Sequence, residues 1–165
     1  ICFVPDNNYR NFLKRKVEGL EERVAGGNFI DKYGNVLGKH KGYPFYTIGQ
    51  RKGLDIALGR PVFVTFINPD ENTVMLGDEE DLEKNEMMVG KLNLIKYDSI
   101  IPGMDAVTKI RYKDPGTHSI LTPEDDKVRV TFYENAKGIA PGQSAVFYEG
   151  DDVIGGGIIQ SGRKI

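Results

Sequence analysis

The sequence predicts a mainly β protein: a small β-rich central domain introduced by a short N-terminal helix, then a six-stranded antiparallel β-barrel. Three observations carry this. One helical stripe occurs near the start, two hairpin patterns follow before residue 78, and six β-prone segments recur at regular spacing from Lys91 onward. At 165 residues the chain can bury a core and is read as two small domains rather than one.

Taking the elements in order, Tyr9, Phe12, Leu13 and Val17 follow the spacing of one helix face, and Asp6 or Asn7 can cap the start. Arg10, Lys14, Arg15 and Lys16 fall mostly outside that stripe, so the wet side of the helix is basic. After Gly26-Gly27, the segments Phe29-Ile30 and Val36-Leu37 flank Lys32-Tyr33-Gly34-Asn35, a hairpin by its turn chemistry. Tyr46 to Leu54 sets polar and basic groups between glycines. It reads as a loop or short helix held by Tyr46, Ile48 and Leu54 and stopped by Pro61. A second hairpin joins Val62–Ile67 to Thr73–Leu76 through Asn68-Pro69-Asp70-Glu71-Asn72.

From Lys91 the expected strands are 91–95, 106–112, 119–121, 127–133, 144–148 and 153–159, enough to close a small barrel. Gly155-Gly156-Gly157 weakens the last strand, which points to a bulge or a tight corner. It is not a phosphate loop, because no Lys-Ser or Lys-Thr and no helix follow it and the G-x-G-x-x-G spacing is missing. The expected organisation is an interdomain segment 1–24 with Cys2 and the helix, a central domain 25–78 and a barrel domain 88–165.

The net charge of −2 argues against a protein whose whole surface tracks nucleic acid. Its distribution says more. Residues 1–60 carry +5, residues 61–105 carry −7 and residues 106–165 are neutral. The acid block Asp78 to Asp81, with Glu83 and Glu86, is expected to face solvent between the two folded parts. No apolar run approaches the roughly 20 residues of a membrane span, and no secretory signal is present, so no membrane is expected. One cysteine excludes an internal disulfide. With only His40 and His118 beside it, it supplies no usual zinc set, so no metal is expected and a reducing, cytoplasmic setting fits. The chain opens at Ile1 without Met and reads as a fragment or processed piece.

Three places could carry chemistry. Cys2 is the one nucleophile with redox range; a thiolate there could carry sulfur as a persulfide, or the residue is a small buried hydrophobe. Lys109, Arg111 and Lys113 alternate with Ile110 and Tyr112, so on a strand the cations share one face, suited to a phosphate backbone or to plain solvation. Tyr112 could then meet a base only if the strand ends or twists there, and Asp114-Pro115 favours such an ending. In Pro141-Gly142-Gln143-Ser144 the first pair forms a turn, leaving the Gln143 amide for a base edge or ribose, or simply as a polar turn residue.

Together Ile1-Cys2-Phe3-Val4-Pro5, Tyr46 to Leu54, Ile110-Arg111-Tyr112, Pro141 to Tyr148 and Gly155 to Ile159 resemble, in order, the central and C-terminal parts of the tRNA-specific 2-thiouridylase family, also called tRNA-uridine 2-sulfurtransferases. The resemblance implies a two-step reaction on the wobble uridine of certain tRNAs. An N-terminal ATP-pyrophosphatase domain, using ATP with Mg, adenylates the C2 oxygen, and a cysteine persulfide then delivers sulfur. It assigns the persulfide to Cys2 and tRNA contacts to Arg111, Tyr112 and Gln143. It further implies a second cysteine in the N-terminal domain and a sulfur-donor relay protein as partner.

No Ser-Gly-Gly-x-Asp-Ser loop occurs here, so no ATP is expected to bind this piece, which alone should be inactive. Asp55 stands where the family usually has Gly, and Asp114 adds a carboxylate beside the contacting strand. Two rival readings remain. One is a noncatalytic RNA-binding module resembling translation-factor barrels; the other is a protein-interaction barrel whose acidic block recruits a basic partner.

Overall fold

The computed structural model describes residues 9–164. The chain divides into two compact units after Asp81.

In the first unit, α1 (Tyr9–Lys16) and the short α2 (Leu20–Val24) precede β1 (Asn28–Ile30), β2 (Val36–Lys39), β3 (Phe63–Asn68) and β4 (Thr73–Gly77). The sheet order is β2-β1-β4-β3, with β1 parallel to β4 and the other pairs antiparallel. Leu13, Leu20 and Val24 lay the helical segment against a core of Phe29, Phe45, Tyr46, Leu54, Val64, Val74 and Leu76. The helical stripe is shorter than its spacing suggests, since α1 stops at Lys16 and Val17 is exposed. The caps expected at Asp6 or Asn7 lie outside the described residues.

His40 is buried in this core, edge-on to Phe29 and tilted against Tyr46. The Gly42 N–H donates to Nδ1 at 3.0 Å, which requires Nδ1 to be bare. Nε2 therefore carries the proton and donates to the Asn72 carbonyl at 3.1 Å. Burial holds the imidazole below its ordinary value, because a charge there would be desolvated. The unfolded chain thus binds more protons than the folded one just below the ordinary imidazole value, so stability is complete above it and falls as pH drops through it. The expected result is a thermal midpoint for this unit that is flat above about pH 7 and declines toward pH 5. The limiting slope is about 1.4 kcal/mol per pH unit. His40→Gln should remove that slope.

Asp55 adopts φ 55°, the left-handed region where glycine is at home. Here Lys41 Nζ lies 2.6 Å from the carboxylate, and that hydrogen bond holds the carboxyl below its usual range.

The second unit is a closed antiparallel barrel with strand order β10-β5-β8-β7-β6-β9. Its strands are β5 (Glu83–Leu94), β6 (Met104–Lys109), β7 (Thr117–Glu124), β8 (Lys127–Lys137), β9 (Ser144–Glu149) and β10 (Asp152–Arg163). Alternation decides which side chains go inside. On β9, Ala145 and Phe147 point into the core while Val146 and Tyr148 face outward. The core gathers Met87, Val89, Leu121, Val130, Phe132, Phe147, Ile154 and Ile159. The buried Ser119 hydroxyl donates to the Ala106 carbonyl at 3.2 Å and therefore accepts from the Thr108 hydroxyl at 2.7 Å.

Several strand bounds differ from the sequence pattern, β7, β8 and β10 being longer than expected, and two differences bear on the charges and the site. β5 begins at Glu83, well before Lys91, and Glu86 is buried rather than solvent-facing, because Arg129 and Arg163 meet its carboxylate. β6 ends at Lys109 rather than Tyr112.

The three glycines of β10 form a tight corner where register shifts occur against both neighbours. A Cβ would lie 2.5 Å from the Asn93 carbonyl oxygen at Gly155, 2.4 Å from that of Ala145 at Gly156 and 2.5 Å from that of Gly90 at Gly157. The absent side chains let β5 and β9 close on β10. Among the described residues no helix is long and apolar enough to cross a membrane.

Candidate nucleic-acid interface

β6 and β9 lie side by side, with Lys109 opposite Val146 and Val107 opposite Tyr148. β6 stops because Asp114 builds a turn: its carboxylate accepts from the Ile110 N–H and the Gly116 N–H, both at 3.0 Å. Lys113 takes φ 62° to complete the reversal. Ile110 stays buried as the anchor, while Arg111, Tyr112 and Lys113 are carried outward past the strand end. Tyr112 is therefore not behind the cations, as strict alternation would place it, but 89% exposed beside them.

At the head of β9, Gly142 turns with φ 87° and its N–H donates to the Ile159 carbonyl at 2.8 Å. The backbone of Gln143 is held on both sides: its N–H donates to Ala140 at 3.2 Å and its carbonyl accepts from Ile159 at 2.8 Å. The main chain is fixed, and the exposed amide side chain is left for a partner.

Arg111, Tyr112 and Gln143 thus line one open depression of about 470 Å³, together with Lys109, Lys113 and Tyr148. Lys109 Nζ stands over the Tyr148 ring, 4.8 Å from its centroid, and Lys113 Nζ is 5.6 Å from that of Tyr112. Three cations, two exposed or half-exposed rings and a free amide can grip a phosphate backbone, stack on an unpaired base and read an edge. Asp114 is spent on the turn, which limits the opposition its charge offers to an anion. Lys109 with Tyr148 was not visible as a pair in the sequence; only the β6–β9 register brings them together. Cys2 lies outside the described residues. Among the described residues, no three His, Cys, Asp or Glu side chains gather as a metal site.

Residues 10–78 match the family described as tRNA methyl transferase PRC-barrel domain, and residues 84–159 match the aminomethyltransferase beta-barrel domain. The chain is 58% identical to the tRNA-specific 2-thiouridylase MnmA of Cytophaga hutchinsonii, over 99% of its own length and 45% of the relative's. The chain belongs to the tRNA-specific 2-thiouridylase family. The corresponding 2-thiouridylase of Amoebophilus asiaticus is 54% identical over 99% of the chain and 44% of its own length, and that of Salinibacter ruber 49% over 96% and 42%. The chain spans a little under half the length of these relatives. As a 2-thiouridylase-family chain it holds the barrel depression in the part of the sequence matched by the second domain family.

Proposed function

We propose that this chain is the tRNA-gripping and sulfur-carrying part of a tRNA-modifying enzyme that 2-thiolates the wobble uridine. The observation that carries the proposal is the convergence of Arg111, Tyr112 and Gln143, from two strand ends, on one depression. Arg111 and Lys113 bind backbone phosphates, Tyr112 stacks on a base and Gln143 takes a base edge or ribose. The names of the relatives support tRNA as the substrate.

Cys2 is the sulfur carrier of the reading: its thiolate takes the outer sulfur of a donor protein's persulfide and releases the donor thiolate. The terminal sulfur then attacks C2 of the adenylated uridine with departure of AMP, and a second cysteine outside this chain breaks the S–S bond, forming a disulfide with Cys2 and freeing the 2-thiouridine. The setting is the cytoplasm, where a lone thiol stays reduced. ATP, with its magnesium ion, serves to activate the C2 oxygen in an ATP-pyrophosphatase domain outside this chain. The described residues do not suit it: the one glycine-rich run, Gly155 to Gly157, is closed over by the backbone of β5 and β9 and leaves no cradle for phosphates. This chain alone is then inactive.

The test is a salt titration of tRNA binding. Arg111→Ala should weaken binding several-fold and lower the slope of log K against log salt by about 0.7–0.9, one phosphate contact. An unchanged slope and affinity would reject the interface and favour a barrel that docks protein.

A further inference from the structure

The loop between Tyr46 and Leu54 does not line the barrel depression, yet it is pinned along its length. Gly49 N–H donates to Val64 at 2.8 Å and Val64 N–H returns to Gln50 at 2.9 Å, which seats the loop on the edge of β3. The Gln50 side chain ties the loop to itself, accepting from Thr47 N–H at 3.1 Å and donating to the Lys52 carbonyl at 2.9 Å. Arg10 reaches across from α1 to the Gly53 carbonyl at 3.2 Å, and Leu54 is buried as the closing anchor.

Arg51 and Lys52 project from this frame, both exposed. Among the described cations of the first unit they are the two whose side chains have no hydrogen-bond, ion-pair or ring partner. Arg10, Lys14, Lys16, Arg23, Lys32, Lys39, Lys41 and Arg60 are all engaged within the protein, and so is Arg15. Asp55, the carboxylate that lines the same depression as Arg51, is already taken by Lys41, and Arg60 on that depression is taken by Asp78. Arg51 walls a shallow depression of about 420 Å³ with Asp55, Ile56, Arg60 and Val62.

We infer that this loop is a second RNA contact, with Arg51 and Lys52 binding consecutive phosphates of the tRNA backbone. Because the backbone that carries these two adjacent unpaired cations is already ordered by folding, binding an anion costs only the ordering of their side chains. Their proximity suits a polyanion with regularly spaced charges, and an unoccupied cation pair releases counterions when such a polyanion binds. The inference rests on the reading of the chain as tRNA-binding, but on a different unit and on different residues.

The test is filter binding of a tRNA transcript across a salt series, with wild type, the Arg51→Ala/Lys52→Ala double variant, Arg60→Ala and Arg111→Ala. The double variant should keep its thermal midpoint, lose about tenfold or more in affinity near 0.1 M salt, and lower the salt slope by about 1.4–1.8. Arg60→Ala, which removes a cation already paired with Asp78, should lower the slope by far less. An unchanged slope in the double variant overturns the inference, as does an equal drop in Arg60→Ala, which would mark a diffuse field effect. Inorganic pyrophosphate is titrated in parallel: if the double variant loses pyrophosphate binding but keeps tRNA affinity, the loop serves a small anion and the inference is overturned. An unchanged slope in Arg111→Ala alone would instead defeat the barrel reading and leave the loop contact standing.

Discussion

Replacing Cys2 by Ser in the full-length protein should abolish 2-thiolation of tRNA, by about three orders of magnitude or more, while leaving tRNA affinity within about twofold. Cys2 is the single thiol of the chain, so no neighbouring sulfur can take over its role here. A serine hydroxyl matches the thiol in shape but does not form a persulfide, and it is not appreciably ionised at neutral pH, whereas a thiol with an ordinary value near 8.5 already supplies some thiolate. The residues assigned to tRNA are different ones, at the ends of β6 and β9, so binding and chemistry should separate cleanly in this variant. Thiolation measured by nucleoside mass spectrometry, beside a tRNA titration, checks both halves. Retained thiolation would remove Cys2 from the mechanism, and lost binding would make its role structural.

The second large effect is expected at the barrel corner. Gly156→Ala places a methyl group 2.4 Å from the Ala145 carbonyl oxygen, which is backbone and cannot rotate away. Relief requires β9 and β10 to separate locally, and overpacking of this kind costs about 2–3 kcal/mol. In a unit of this size that lowers the thermal midpoint by about 10 °C or more. The consequence should reach the site. Gly156 pairs with Val146, Ile158 pairs with Ser144, and Ile159 holds the Gln143 carbonyl, so a shifted β9 moves the amide that the depression presents. Weaker tRNA binding at temperatures where the barrel is still folded is therefore expected, and calorimetry with a binding titration would show it. A variant as stable as wild type would mean the corner is looser than its geometry.

Much of this architecture was legible because the barrel strands obey period-two alternation. The run Ser144 to Tyr148 is a strand as expected, and the structure turns Ala145 and Phe147 inward and Val146 and Tyr148 outward. The first half of β5 was not legible, since Glu83-Lys84-Asn85-Glu86 reads as a polar connection. Glu86 is buried because Arg129 and Arg163, the latter 77 residues further on, meet its carboxylate. The candidate interface divides in the same way. Arg111, Tyr112 and Gln143 were recognisable by residue type, and the exposure of Tyr112 follows from the Asp114 turn that the Asp-Pro-Gly sequence hints at. The pairing of Lys109 with Tyr148 depends on which strands become neighbours in the closed barrel, and local pattern carries no record of that. In the loop at Arg51 and Lys52 the anchors Ile48 and Leu54 were visible, but the lack of partners for the two cations appears only in the fold, where Lys41 has claimed Asp55.

The central claim is that tRNA is held at the joined ends of β6 and β9. Amide hydrogen exchange with and without a tRNA transcript tests it most directly. Slowed exchange on tRNA addition is expected in residues 110–114 and 142–144, with the opposite end of the barrel at Asp125 and Asp126 unchanged. Exchange unaltered in both of those segments, under conditions where tRNA is bound, would contradict it.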